Sequence, residues 1–136
     1  MPLKIVLDTN IRIAAFLSRN YSREIVLLAH KKKLTLVTSK VLNAELSEVF
    51  SKKIQGNQMK VNHFLNRILA VSQVVMPTET LTIIERDPDD NRVLEAAVEG
   101  NCQYIVTGDK DLLVLKNYKK IKILTAREFL DVFESK

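Results

Sequence analysis

One cysteine, three glycines, three prolines and no tryptophan occur in the 136 residues of this chain. The lone Cys102 excludes an intramolecular disulfide and a cysteine-built four-ligand zinc site, and it fits a reducing cytosol. So little glycine and proline leaves scant room for linkers, and no repeat or low-complexity segment is visible. No apolar stretch is long enough for a signal peptide or a spanning helix, because the opening MPLKIVLD runs straight into a strand pattern. These absences point to a cytoplasmic protein without a membrane segment. The length suits one domain over residues 1–136, and 46 % apolar residues suit a folded core.

Acid is also the minority charge. Lys and Arg number 21 against 16 Asp and Glu, a net charge of +5. An excess of this size serves solubility, and it also suits a polyanionic partner whose phosphates lysines neutralise. Part of it is clustered, at Lys31–Lys33, at Lys52 and Lys53, and at Lys119, Lys120 and Lys122.

Short apolar runs alternate with helix-period stretches. Strands are predicted at KIVLD, at LTLVT (34–38), in QYIVTGD and in KIKILT, with a short one at QVVM (73–76) and LTII (81–84) as strand or loop. Helices are predicted at SREIVLLAHKKK with Ser22 as a candidate cap, and at SKVLNAELSEVFSKK capped by Ser39. Three more follow at MKVNHFLNRILAVSQ, at DDNRVLEAAVEG closed by Gly100, and at AREFLDVFES. Strands separated by helices give an α/β architecture with a central, mainly parallel sheet flanked by helices, in which sites form outside the carboxyl ends of the strands.

Asp8 stands at one such end, where it equally serves as a helix cap or loop residue. Asp109 and Asp111, in TGDKD, project from the same rim. On a helical wheel Glu45 falls inside the apolar arc of Val41, Leu42, Leu46, Val49 and Phe50, whereas Glu48 falls outside it and reads as a solvated acid. A carboxylate in a buried stripe is either ion-paired with a nearby cation or part of a site. In RDPDDN, helix-start chemistry accounts for all three aspartates. Spacing nonetheless puts Asp90 on the side of Val93, Leu94 and Ala97, while Asp87 precedes the helix and Asp89 is less well aligned. Asp8, Glu45, Asp90 and Asp109 thus converge on one rim with Asp111 near. Carboxylates in contact repel, and a hard divalent cation such as Mg²⁺ or Mn²⁺ resolves the repulsion. An acidic pocket in a basic protein then suits a phosphate substrate, the ion screening the acids while lysines hold the flanking backbone.

With these segments in order, the chain resembles the PIN-domain family, and within it the toxin components of prokaryotic toxin–antitoxin systems (VapC-like). VLDTN is similar to the opening motif and TSKVLNAELSEVF to the second acidic helix. RDPDDNRVLEAA and IVTGDKDLL are similar to the third and fourth motifs, and ILTAREFL to the usual ending. The resemblance implies a Rossmann-like fold and Mg²⁺- or Mn²⁺-dependent endoribonuclease activity, with water as the nucleophile on an RNA phosphodiester. By position it implies Asp8, Asp90 and Asp109 as metal-holding carboxylates, and Glu45 as a water-mediated ligand or an orienter of the nucleophile. It makes Asp111 a supporting acid, and Asn10 and Thr107 polar residues that steady the carboxylates. A neutralising antitoxin and a homodimer are implied partners. Close relatives carry a third acid where this chain has Asn91, which cannot be an anionic ligand and leaves Asp90 as the better match.

Lys110, between two candidate acids, is a phosphate contact or a simple countercharge. His63, Phe64, Leu65, Ile68, Leu69, Tyr21, Tyr118 and Cys102 read as surface, core or dimer face rather than as catalytic groups. Two rival classes remain: a catalytically silent PIN-like RNA-binding module, and a Mg²⁺-binding phosphoacceptor receiver domain. The latter wants paired acids after its first strand, where this chain has Asp8 alone.

Overall fold

The computed structural model describes residues 3–17, 20–54 and 56–135. Its strands are β1 (Lys4–Leu7), β2 (Thr35–Ser39), β3 (Ser72–Val75), β4 (Tyr104–Val106), β5 (Asn117–Tyr118) and β6 (Ile121–Leu124). The helices are α1 (Thr9–Phe16), α2 (Asn20–His30), α3 (Lys40–Lys53), α4 (Gln58–Ala70), α5 (Asn91–Glu99), α6 (Lys110–Leu113) and α7 (Ala126–Glu134), with a 3₁₀ turn at Pro88–Asp90 before α5. The sheet order is β3-β2-β1-β4-β6-β5, parallel throughout except for β5 against β6. This is the α/β sheet read from the sequence.

The apolar runs form strands because both sheet faces are covered. Val6, Val37, Ile105 and Ile123 point into the core shared with α5, and Ile5, Leu7, Leu36, Tyr104 and Val106 into the core shared with α2 and α7. Burial of each such side chain contributes about 1.5–3 kcal/mol. A third cluster of Leu46, Phe50 and Val61 joins α3 to α4, and Phe16 packs edge-on to Phe50 and Phe64 with centroids 5.0 and 5.3 Å away. Among the described residues no helix is long and apolar enough to cross a membrane.

Several sequence expectations need correction. Residues 9–16 form α1, which the apolar run IRIAAFL did not announce. Ser22 is a buried residue inside α2 rather than its cap, because the helix begins at Asn20. LTII, read as strand or loop, is a loop. Ser39 does cap α3, accepting from Leu42 N, but Val41 is 55 % exposed, so the buried stripe of α3 is the narrower set Leu42, Leu46 and Phe50.

The order of the strands positions the site. From β1 the chain winds to β2 and β3 on one side, then crosses over to β4 on the other. The crevice between the carboxyl ends of β1 and β4 is therefore the switch point of the sheet, where ligands of such folds bind.

Candidate metal centre

Asp8 continues the β1–β4 ladder, its N–H donating to Val106 O at 3.0 Å. That register sets it beside Thr107, whose hydroxyl donates to Asp8 Oδ2 at 2.7 Å. Thr9 N donates to Asp8 Oδ1 at 2.7 Å, so Asp8 also caps α1. The capping reading and the site reading therefore describe one side chain. Burial pushes the Asp8 carboxyl up, the Thr107 and Thr9 hydrogen bonds oppose this, and Glu45 and Asp109 add to the rise.

The same threonine positions the second strand end. Asp109 N donates to Thr107 Oγ1 at 3.0 Å, and Asp109 caps α6 by accepting from Asp111 N at 2.8 Å. Asp90 arrives from the 3₁₀ turn and is 8 % exposed, with Oδ2 buried and without a hydrogen-bond partner among the described residues. Burial, then repulsion by Asp109, Asp87 and Asp8, raises its pKa to about 7. One oxygen each from Asp87, Asp90 and Asp109 lie within 4.8 Å of one another, the one such trio of possible ligands among the described residues. Asp8 stands within electrostatic reach of this trio, and Glu45 within reach of Asp8. Asp111 lies outside the trio, 4.0 Å from the exposed Arg86.

The trio differs in membership from the set read off the sequence. Asp87 precedes α5, yet the 3₁₀ turn, in which Asp90 N bonds Asp87 O at 3.0 Å, folds it back toward Asp90. Glu45 is half-buried on α3 and has no ion pair among the described residues, so the salt-bridge explanation for it does not apply. Asn10 is exposed and makes no hydrogen bond to these acids; Thr9 N and Thr107 Oγ1 make them instead. Lys110 is exposed at the start of α6. Glu48 is exposed and paired with Lys52 at 2.7 Å.

The lysine clusters also sit elsewhere than expected. Lys31–Lys33 lead into β2, and Lys119 and Lys120 lead into β6, so in a parallel sheet both groups occupy the amino rim, opposite the acids. The exposed cations that begin or border the carboxyl rim are Lys40, Lys110 and Arg86.

Two buried polar groups behind the site were not anticipated. Asn91 accepts from Ile84 N at 2.8 Å and donates to Ile84 O at 2.8 Å and Pro88 O at 3.1 Å, which pins the loop ahead of Asp87. Arg12 is buried beneath α3. An arginine inside an apolar run was the only available signal for it, and Asn91 gave none.

The donor set is all oxygen and anionic, and it keeps one carboxylate oxygen buried and unpartnered. That fits a hard divalent cation, for which Asp87, Asp90 and Asp109 would be the direct ligands.

A PIN domain family model matches residues 4–111, a span that takes in every acid described above. An uncharacterized protein of Methanocaldococcus jannaschii, MJ1680, is 30 % identical over 145 residues, covering 97 % of this chain and 92 % of its own length. The crystal structure of PAE2754 from Pyrobaculum aerophilum matches with a TM-score of 0.66 at 14 % identity, over 99 % of this chain and 91 % of that one. VapBC2 from Rickettsia felis, bound to a DNA fragment from the promoter, matches with a TM-score of 0.61 at 22 % identity, over 89 % and 97 %. At such identities the two structures speak to the fold, while the family model reaches the acidic motifs themselves. The chain belongs to the PIN-domain family.

Proposed function

We propose that this chain is a divalent-metal-dependent endoribonuclease, acting in the cytoplasm as the toxin of a toxin–antitoxin pair. The observation that carries the reading is the crowding of Asp87, Asp90 and Asp109 at the switch point beside Asp8, with Asp90 Oδ2 buried and unpartnered. Mg²⁺ or Mn²⁺ in that position would supply charge neutralisation and polarisation of the scissile phosphoryl group. Asp8, fixed by two short hydrogen bonds beside the trio, would help hold the same ion. Glu45, half-buried and without an ion pair among the described residues, orients the attacking water. The water oxygen forms the new P–O bond, the bond to the ribose oxygen breaks, and that oxygen leaves with a proton. Lys40 and Lys110, both exposed, would meet flanking phosphates.

The test is cleavage of mixed single-stranded and structured RNAs in EDTA, Mg²⁺ or Mn²⁺, with Asp8→Asn alongside. Cleavage should need metal and fall at least about a hundredfold in the variant, equivalent to about 2.7 kcal/mol of transition-state stabilisation. Equal rates in the two proteins would assign the cleavage to a contaminant. Binding without cleavage by either would favour the silent RNA-binding module.

A neutralising protein partner belongs to the same reading. A groove of about 580 Å³ runs between α1, α2 and α4. Phe16, Leu27, Met59 and Phe64 line it with apolar surface and Lys60 and Arg67 with positive charge, and among the described residues no acid lines it. Such a surface suits an acidic amphipathic segment. Homodimerisation is also part of the proposal and is read by sedimentation.

A further inference from the structure

Arg12 is 3 % exposed, yet no carboxylate comes within 4.0 Å of it among the described residues. Its hydrogen bonds go to one junction instead. Nη1 donates to Asn43 Oδ1 at 2.9 Å and, at 3.4 Å, to Thr38 Oγ1; Nη2 donates to Leu42 O at 2.9 Å. Thr38 Oγ1 donates in turn to Asn43 Oδ1 at 2.9 Å. Nε is buried and has no partner. Burial lowers the Arg12 pKa to about 10, and the charges of Asp8 and Glu45 oppose that drop.

An arginine buried with an idle N–H and no ion pair is an expensive way to fill space, since an apolar side chain of similar volume is often neutral or stabilising at such a position. Geometry suggests what it does there. Arg12 N bonds Asp8 O at 3.2 Å, so its backbone hangs from the residue that follows β1. The acceptors of its side chain belong to the end of β2 and the first turn of α3, immediately before Glu45. The planar fork spans Asn43 and Leu42 together, which a lysine ammonium cannot do.

We infer that Arg12 is a positioning residue of the acidic site: its guanidinium braces the first turn of α3, setting Glu45 against Asp8, and its charge offsets the repulsion between those two carboxylates. The kinetic consequence rests on the nuclease reading; the brace does not.

The experiment is a double-mutant cycle of Arg12→Lys with Glu45→Gln in RNA cleavage, joined to amide hydrogen exchange on the metal-free, RNA-free proteins. Arg12→Lys should lower kcat about 10- to 50-fold with KM within about twofold, yet cost less than about twofold in the Glu45→Gln background. A purely packing role would give the same factor in both backgrounds, and that result overturns the inference. In exchange, amides of residues 44–47 should open at least about tenfold faster in Arg12→Lys while α5 and α7 hold their protection. Unchanged exchange in α3 overturns the brace even if the wild-type protein cuts no RNA at all, whereas absent cleavage with faster exchange in α3 removes the nuclease reading alone. Should Arg12→Lys fail to fold, Asn43→Ala removes the same bridge from the other side and is subject to the same outcomes.

Discussion

Below a pH of about 7, Asp90 of the metal-free protein keeps its proton, because burial and three neighbouring aspartates oppose its charge. Its folded pKa is raised from the ordinary 3.8, so between these two values the folded chain holds a proton that the unfolded chain has released. Stability must then fall as pH rises through that window and stay reduced above it. A divalent ion bound to the trio would remove the penalty. In EDTA the wild-type Tm should therefore drop between pH 5 and pH 8 by more than that of Asp90→Asn. At pH 8 the variant should melt about 3–6 °C higher, the equivalent of about 1 kcal/mol for a chain of this size. Mg²⁺ should raise the wild-type Tm and leave the variant nearly unmoved. Differential scanning fluorimetry reads all three effects, and parallel pH curves for the two proteins would contradict the account. Asp8 and Asp109 were legible in the sequence because each follows a short apolar run. Asp87 was not, since its approach depends on a 3₁₀ turn that shifts the helical phase. Arg12 was not legible either, because its partners lie 26 to 31 positions away in another helix–strand junction.

The loop between β3 and α5 has no secondary structure before Pro88, yet it must deliver Asp87 and Asp90. Two buried side chains of α5 hold it. Asn91 offers an acceptor to Ile84 N and donors to Ile84 O and Pro88 O, and Glu95 accepts from Leu81 N at 2.7 Å while pairing with Arg92 at 3.0 Å. Asn91→Asp would turn a carboxylate toward two carbonyl oxygens. The expected result is a loss of about 2–4 kcal/mol in a urea titration, with no gain in Mn²⁺ affinity. A neutral or stabilising effect would mean that the loop is held by something other than this amide. Elements with long periodic faces, such as α3, α4 and α7, could be read from the sequence to within a few residues at each end. The four residues of α6 and the two of β5 are too short to show any period. In α1 the buried Arg12 breaks the expected alternation of apolar and polar positions.

Charge is distributed unevenly over the whole molecule. Lys31–Lys33 and the Lys119–Lys120 turn lie on the amino rim of the sheet, away from the acids. If the chain cleaves RNA as proposed, replacing Lys31, Lys32 and Lys33 together with Gln should change the KM for RNA by less than about twofold, while Lys40→Gln with Lys110→Gln should raise it about three- to tenfold. Steady-state cleavage at low salt checks this, since each lost phosphate contact also flattens the salt dependence. The reverse ranking would mean that RNA wraps the amino rim. The sheet order has another consequence, which concerns the order of synthesis. Thr107 lies 99 positions after Asp8, and only the β1–β4 ladder makes them neighbours. During synthesis Asp8 emerges about a hundred residues before Asp109 and waits for it, while β1, β2, β3 and helices α1 to α5 can already form. Contacts of such separation close late in folding. A chain that stops before β4 has only three of the six strands and cannot gather its acids, so the capacity for chemistry arrives only once β4 and the Thr107–Asp109 turn have been made.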